Sequence, residues 1–127
     1  MHALAIDDSR AMRMILAQIL RALGFEVTEA ANGREALERL PYVGPVDLAL
    51  VDWNMPVMSG IEFVKAVRAD PKLADMRLMM VTTENEMSKI EEALEAGADE
   101  YVMKPFSRSV IREKLELLGV PVPAQAC

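Results

Sequence analysis

Short apolar runs alternate with longer amphipathic stretches along the whole chain, the pattern expected of βα units packed on a parallel sheet. Five runs have strand length: Ala3 to Ile6, Glu26 to Ala30, Leu48 to Val51, Leu78 to Val81 and Tyr101 to Met103. The middle ones, "LALV" and "LMMV", are apolar at every position, as strands covered on both faces must be. Between the first two runs, Met12, Ile15, Leu16, Ile19, Leu20 and Leu23 recur at helical spacing, and Gly24 is placed to stop that helix. Asn32 is predicted to cap a second helix that Pro41 closes. Ile61, Phe63, Val64 and Val67 predict a third helix ending before Asp70-Pro71, Ile90 to Leu94 a fourth before Gly97, and Val110, Ile111, Leu115 and Leu118 a fifth. The expectation is one α/β domain over residues 1–119, with a short tail over 120–127 that is too small for a second domain.

Composition adds limits to this pattern. A chain of 127 residues has the length of one domain, and 52% hydrophobic with 27% charged residues is ordinary for a globular protein. Aromatic residues make up only 5%, so the core is expected to be aliphatic and rich in methionine. No apolar run approaches the roughly 20 residues of a membrane span, and an acidic pair comes too early for a secretory signal. A cytoplasmic protein without membrane insertion is expected. The one cysteine, Cys127, excludes an intrachain disulfide and a Cys-based metal cluster, while the one histidine, His2, excludes a multi-His zinc site and a Ser/His triad. His2 is expected simply to lead into the first strand. A net charge of −6 disfavours nucleic acid, which needs a basic stripe to displace phosphate counterions.

Candidate chemistry lies at the strand ends. In an open parallel sheet, ligands bind beyond the carboxyl ends of the strands, where strand order reverses. Asp7 and Asp8 follow the first run, Asp52 the third, Thr82 the fourth and Lys104 the fifth. Each also has an ordinary reading: "DDS" starts a helix, Thr82 is a β-branched strand residue, and Lys104-Pro105 is a surface turn. Three carboxylates converging at one end would repel one another unless a cation neutralised them. An all-oxygen ligand set with no histidine or cysteine favours a hard ion, and few carboxylates with open positions suit Mg²⁺.

With these residues in hand, the chain resembles the receiver domain of bacterial two-component response regulators over about residues 3 to 118. It is most similar to the single-domain chemotaxis-type members, which share the run "DWNMP". The spacings from Asp8 to Asp52, from Asp52 to Thr82 and from Asp52 to Lys104 match, as do the residue types. The resemblance implies a flavodoxin-like, doubly wound five-stranded parallel sheet of order 2-1-3-4-5 with five helices. It implies that Asp52 accepts a phosphoryl group, and that Asp7, Asp8, Asp52 and the backbone carbonyl of Asn54 hold Mg²⁺. Lys104 and Thr82 contact the phosphoryl group, Pro105 is a cis proline aiming the lysine, and Tyr101 is a switch residue following Thr82 inward. Asn54 and Glu84 would flank the attacking water and tune dephosphorylation.

The implied donor is a sensor histidine kinase or a His-containing phosphotransfer protein. The implied target is another protein, bound by a monomeric receiver through the fourth helix, fifth strand and fifth helix. "TENEMSK" after Thr82 is more acidic than motor-switch binders favour, so adaptation, phosphate-sink and shuttle roles stay open. A haloacid-dehalogenase-type phosphatase uses similar groups but needs a second Asp at position 54, which is Asn. A flavodoxin-like FMN carrier needs a Ser/Thr/Gly phosphate loop where this chain has "DDSRAM", and a degenerate receiver would lack part of the set. Trp53, Met79, Met80 and the group Glu91, Glu92, Glu95 are read as a partly exposed loop aromatic, core filler and a solvated helix face.

Overall fold

The computed structural model describes residues 1–53, 55–83, 87–104 and 106–120. Five strands alternate with five helices: β1 (His2–Ile6), α1 (Arg10–Ala22), β2 (Glu26–Ala30), α2 (Gly33–Val43), β3 (Leu48–Asp52), α3 (Gly60–Ala69), β4 (Arg77–Thr82), α4 (Met87–Ala96), β5 (Glu100–Met103) and α5 (Arg108–Leu117). The strands form a parallel sheet in the order β2-β1-β3-β4-β5, the doubly wound topology expected from the sequence. Strand order reverses between β1 and β3, and ligand-binding crevices of such sheets open at that point.

Alternate strand residues feed two apolar layers. Leu4, Ile6, Ala49, Val51, Leu78 and Met80 pack against Ala36 of α2, Phe63, Val64 and Val67 of α3 and Ala93 of α4. Ala3, Ala5, Leu48, Leu50, Met79 and Val81 pack against Leu16 and Leu20 of α1 and Ile111 and Leu115 of α5. The period-two alternation of side chains thus divides each central strand between the layers, and for that reason β3 is buried along its whole length. Met79 and Met80 are core residues, and Glu91, Glu92 and Glu95 lie on the exposed side of α4.

Side-chain caps fix where the helices start. Ser9, Asn32, Ser59 and Ser107 accept hydrogen bonds from the backbone N–H groups of Met12, Glu35, Glu62 and Val110. At α3, Glu62 also reaches back to the Ser59 N–H, completing a capping box. Pro41 does not close α2, which runs on to Val43 and ends at Gly44 with φ +78°. Lying in the last turn, the proline removes one hydrogen bond without interrupting the packed part of the helix. A short 3-10 turn at Pro71–Leu73, which the apolar pattern did not reveal, is held by Asp70 accepting from the Lys72 N–H. Among the described residues, no helix is long and apolar enough to cross a membrane.

Candidate functional site

The carboxyl ends of β1, β3 and β5 bring Asp7, Asp8, Asp52 and Lys104 together. Both Asp52 and Thr82 belong to their strands as final residues rather than following them. Asp52 pairs in register with Val81, so Thr82 stands one step further along the neighbouring strand. The backbone N–H of Lys104 donates to the Thr82 carbonyl at 2.7 Å, which fixes the turn leaving β5 beside the end of β4. Trp53 N–H likewise donates to the Val81 carbonyl at 3.1 Å. Close approach is built into the β3–α3 connection. A Cβ at Gly60 would lie 2.7 Å from the Asp52 carbonyl oxygen, and the Gly60 N–H donates to the Trp53 carbonyl.

The acidic pair has divided tasks. Ser9 caps α1, so neither Asp7 nor Asp8 is needed there, and the helix-start reading does not account for the pair. Asp7 is 1% exposed; its Oδ1 accepts from the Ser9 N–H at 2.8 Å, and its Oδ2 has no hydrogen-bond partner among the described residues. Asp8 is exposed at the rim. One carboxylate oxygen each from Asp7, Asp8 and Asp52 lies within 4.8 Å of the others. Ligands of an octahedral Mg²⁺ stand about 3 to 4.2 Å apart, so these oxygens are near enough to converge on one hard cation with some drawing together. Asp7 Oδ2, buried with no hydrogen bond and only an ammonium 3.6 Å away, fits the same conclusion, since such groups are costly unless something binds them.

Lys104 closes the other side. Its Nζ donates to Asp52 Oδ1 at 3.1 Å and lies 3.6 Å from Asp7 Oδ2. Burial, reinforced by the Asp7 charge, pushes Asp52 up to about 6 in spite of the lysine. Burial also raises Asp7, with the Ser9 N–H and Lys104 opposing it. For Lys104, burial works against the charged form, but Asp52 and Asp7 together outweigh it and hold the ammonium above its ordinary value. The site therefore has too many carboxylates for its one contacting lysine, and a divalent cation would correct that imbalance.

Thr82 is buried at the end of β4, and its hydroxyl donates to the Thr83 carbonyl at 3.3 Å. Tyr101 is half-buried on the edge strand β5, with the Lys114 ammonium 4.7 Å from its ring centroid. Asn54, Glu84 and Pro105 lie outside the described residues. Trp53 is a partly exposed aromatic in the loop after β3, as expected, and Lys89 of α4 lies 5.5 Å from its ring. His2 sits in β1, its Nε2 2.7 Å from the Thr28 hydroxyl. Arg13, which sequence reasoning passed over, donates from Nη1 to the Asp7 carbonyl at 2.8 Å. A cavity of about 900 Å³ opens at the opposite end of the sheet, between the end of α2 and the Pro71–Leu73 turn. It is separated from the carboxylate cluster by the length of the strands. Two of its acidic residues are held locally, Asp47 by the His2 N–H and Asp70 by the Lys72 N–H.

Comparison with known proteins agrees with this geometry. The family profile of the response regulator receiver domain matches residues 3–116. The chemotaxis protein CheY1 of Helicobacter pylori strain J99 is 42% identical over 119 residues, covering 93% of this chain and 96% of that protein. The CheY homologue of Campylobacter jejuni is 45% identical over 117 residues, covering 91% of this chain and 90% of the relative. Among solved structures, Vibrio cholerae chemotaxis protein CheY4 superposes with a TM-score of 0.83 at 38% identity, covering 91% of this chain and 96% of that one.

Proposed function

The chain belongs to the response regulator receiver domain family, and on that footing we propose that Asp52 accepts a phosphoryl group in a Mg²⁺-dependent reaction and that the phosphorylated form signals by binding another protein, in chemotaxis or a related phosphorelay. The observation that carries the proposal is the pairing around Asp52. On one side lie two further carboxylates with an orphaned oxygen, and on the other a lysine in direct contact. Asp7, Asp8 and Asp52 would hold Mg²⁺, joined by the carbonyl of Asn54, which lies outside the described residues. Mg²⁺ bound there supplies positive charge for the oxygens of the incoming phosphoryl group.

The protein's own residues do the rest. Asp52, ionised at neutral pH although its pKa is raised to about 6, attacks phosphorus in line. The new bond is from a carboxylate oxygen to phosphorus, and the bond that breaks joins phosphorus to the donor's imidazole nitrogen. The departing imidazole takes a proton from solvent. The donor is a sensor kinase or a His-containing phosphotransfer protein, and a small acyl phosphate can replace it. Lys104 exchanges its contact with Asp52 Oδ1 for a phosphoryl oxygen, which keeps an ammonium where negative charge accumulates. Thr82, at the end of the adjacent strand, donates its hydroxyl to another oxygen and so turns away from the Thr83 carbonyl. Tyr101 follows inward, altering the surface formed by α4, β5 and α5. Asn54 and Glu84 orient the water that later hydrolyses the acyl phosphate.

Acetyl phosphate with Mg²⁺ is expected to label the protein at one carboxylate, and Asp52→Asn to abolish labelling. Equal incorporation into that variant, or labelling that survives chelation, would overturn the assignment.

A further inference from the structure

We propose that Arg13 is a positioning residue for the cation site, clamping the backbone of Asp7 and so holding its carboxylate in the group it forms with Asp8 and Asp52. The proposal rests on the phosphoacceptor reading above. Asp7 is held at three points: its N–H donates to the Ala30 carbonyl at 3.2 Å, its Oδ1 accepts from Ser9, and its carbonyl accepts from Arg13 Nη1 at 2.8 Å. Only Oδ2 is left without a hydrogen bond, and it is the oxygen beside Lys104. Two of the three restraints come from backbone N–H and C=O groups of neighbouring segments. The third is a single side chain reaching back from α1, through one guanidinium nitrogen.

Placement and charge of the arginine support this role. Arg13 lies near the start of α1, where the helix dipole disfavours a cation, and that helix has no acidic residue in its first turn. Its side chain is only 18% exposed, so its location is not explained by solvation. A bare guanidinium so close to the cluster would oppose a divalent cation. Glu29 of β2 offsets it, with its Oε1 3.4 Å from Arg13 Nε, while Arg21 lies further from the same carboxylate, at 4.0 Å, and is more exposed. The arginine thus serves as a donor whose charge is balanced by a carboxylate outside the cluster. Partners that orient metal ligands commonly matter about tenfold or more in metal affinity.

The test follows Mg²⁺ binding through Trp53, the only tryptophan and the neighbour of Asp52, with metal-free urea unfolding measured in parallel. Arg13→Met keeps the apolar stem and removes the clamp. Loss of a positive charge alone would tighten Mg²⁺ binding, whereas loss of positioning weakens it, so the sign separates the two roles. We expect about tenfold weaker binding in Arg13→Met and a smaller loss in Arg13→Lys, which keeps the charge and one donor. Unchanged or tighter binding in Arg13→Met overturns the proposal. Should that variant not fold, unchanged binding in Arg13→Lys overturns it equally. A wild-type protein with no Mg²⁺ response would overturn the phosphoacceptor reading, and the role of Arg13 with it.

Discussion

Asp52 is held in a place that does not suit a free carboxylate. Burial and the Asp7 charge raise its pKa to about 6, whereas an unfolded chain returns it to the ordinary value of 3.8. A raised acid binds its proton more tightly in the folded state, so this residue costs nothing below about pH 4, opposes folding increasingly as pH rises from about 4 to 6, and opposes it fully above that. In EDTA, Asp52→Asn is therefore expected to equal the wild type in stability below about pH 4. It should gain through the interval between the two pKa values and reach an advantage of about 3 kcal/mol at pH 8. Urea unfolding at pH 4, 6 and 8 measures this. A gap independent of pH would mean that the substitution acts through packing and not through charge.

The connection from β3 to α3 is under strain of a different kind. Val57 has φ +70° and is 70% exposed, and the Met58 N–H donates to the Pro56 carbonyl at 2.7 Å across it. These features describe a three-residue γ-turn of positive φ, which is rare and costly for a β-branched residue. Five residues after Asp52, the turn bends the chain so that Ser59 can cap α3 and Gly60 can lie against the Asp52 carbonyl. Since the Val57 side chain adds little packing, Val57→Asn is expected to raise stability by about 1 kcal/mol, because Asn tolerates positive φ. A denaturation midpoint equal to or below the wild type would mean that the valine is not strained.

At the scale of the molecule, the sheet gathers carboxylates from two strand ends and the β1–α1 turn around a single contacting lysine. Mg²⁺ should therefore stabilise the folded state by mass action. At roughly a hundredfold excess over its Kd the gain is about 2.7 kcal/mol, or roughly 10 °C in Tm for a domain of this size. Chelation should reverse it. Asp8→Ala, which removes the rim ligand, should lose most of the rise, and an undiminished rise in that variant would locate the ion elsewhere.

The sequence by itself determined the architecture, because a βα repeat with fully apolar central strands leaves a parallel, two-layered sheet as the arrangement that buries them. It also placed Asp7, Asp8, Asp52, Thr82 and Lys104 at one end of that sheet, since polar residues at or just beyond the carboxyl ends of apolar strands share that end. Local chemistry misled it at Pro41, where a helix breaker fell in a turn with little left to break, and missed the Pro71–Leu73 turn, which has no apolar period. Only the tertiary structure decided what the two adjacent aspartates do separately. The strand direction at Asp7 buries it and the next residue emerges at the rim, a difference that two identical letters do not carry. The same holds for Lys104 in contact with Asp52, and for Arg13 reaching back to a backbone carbonyl. Those contacts depend on how separate strands and helices pack in three dimensions, and a one-dimensional pattern records spacing along the chain but not distance across it.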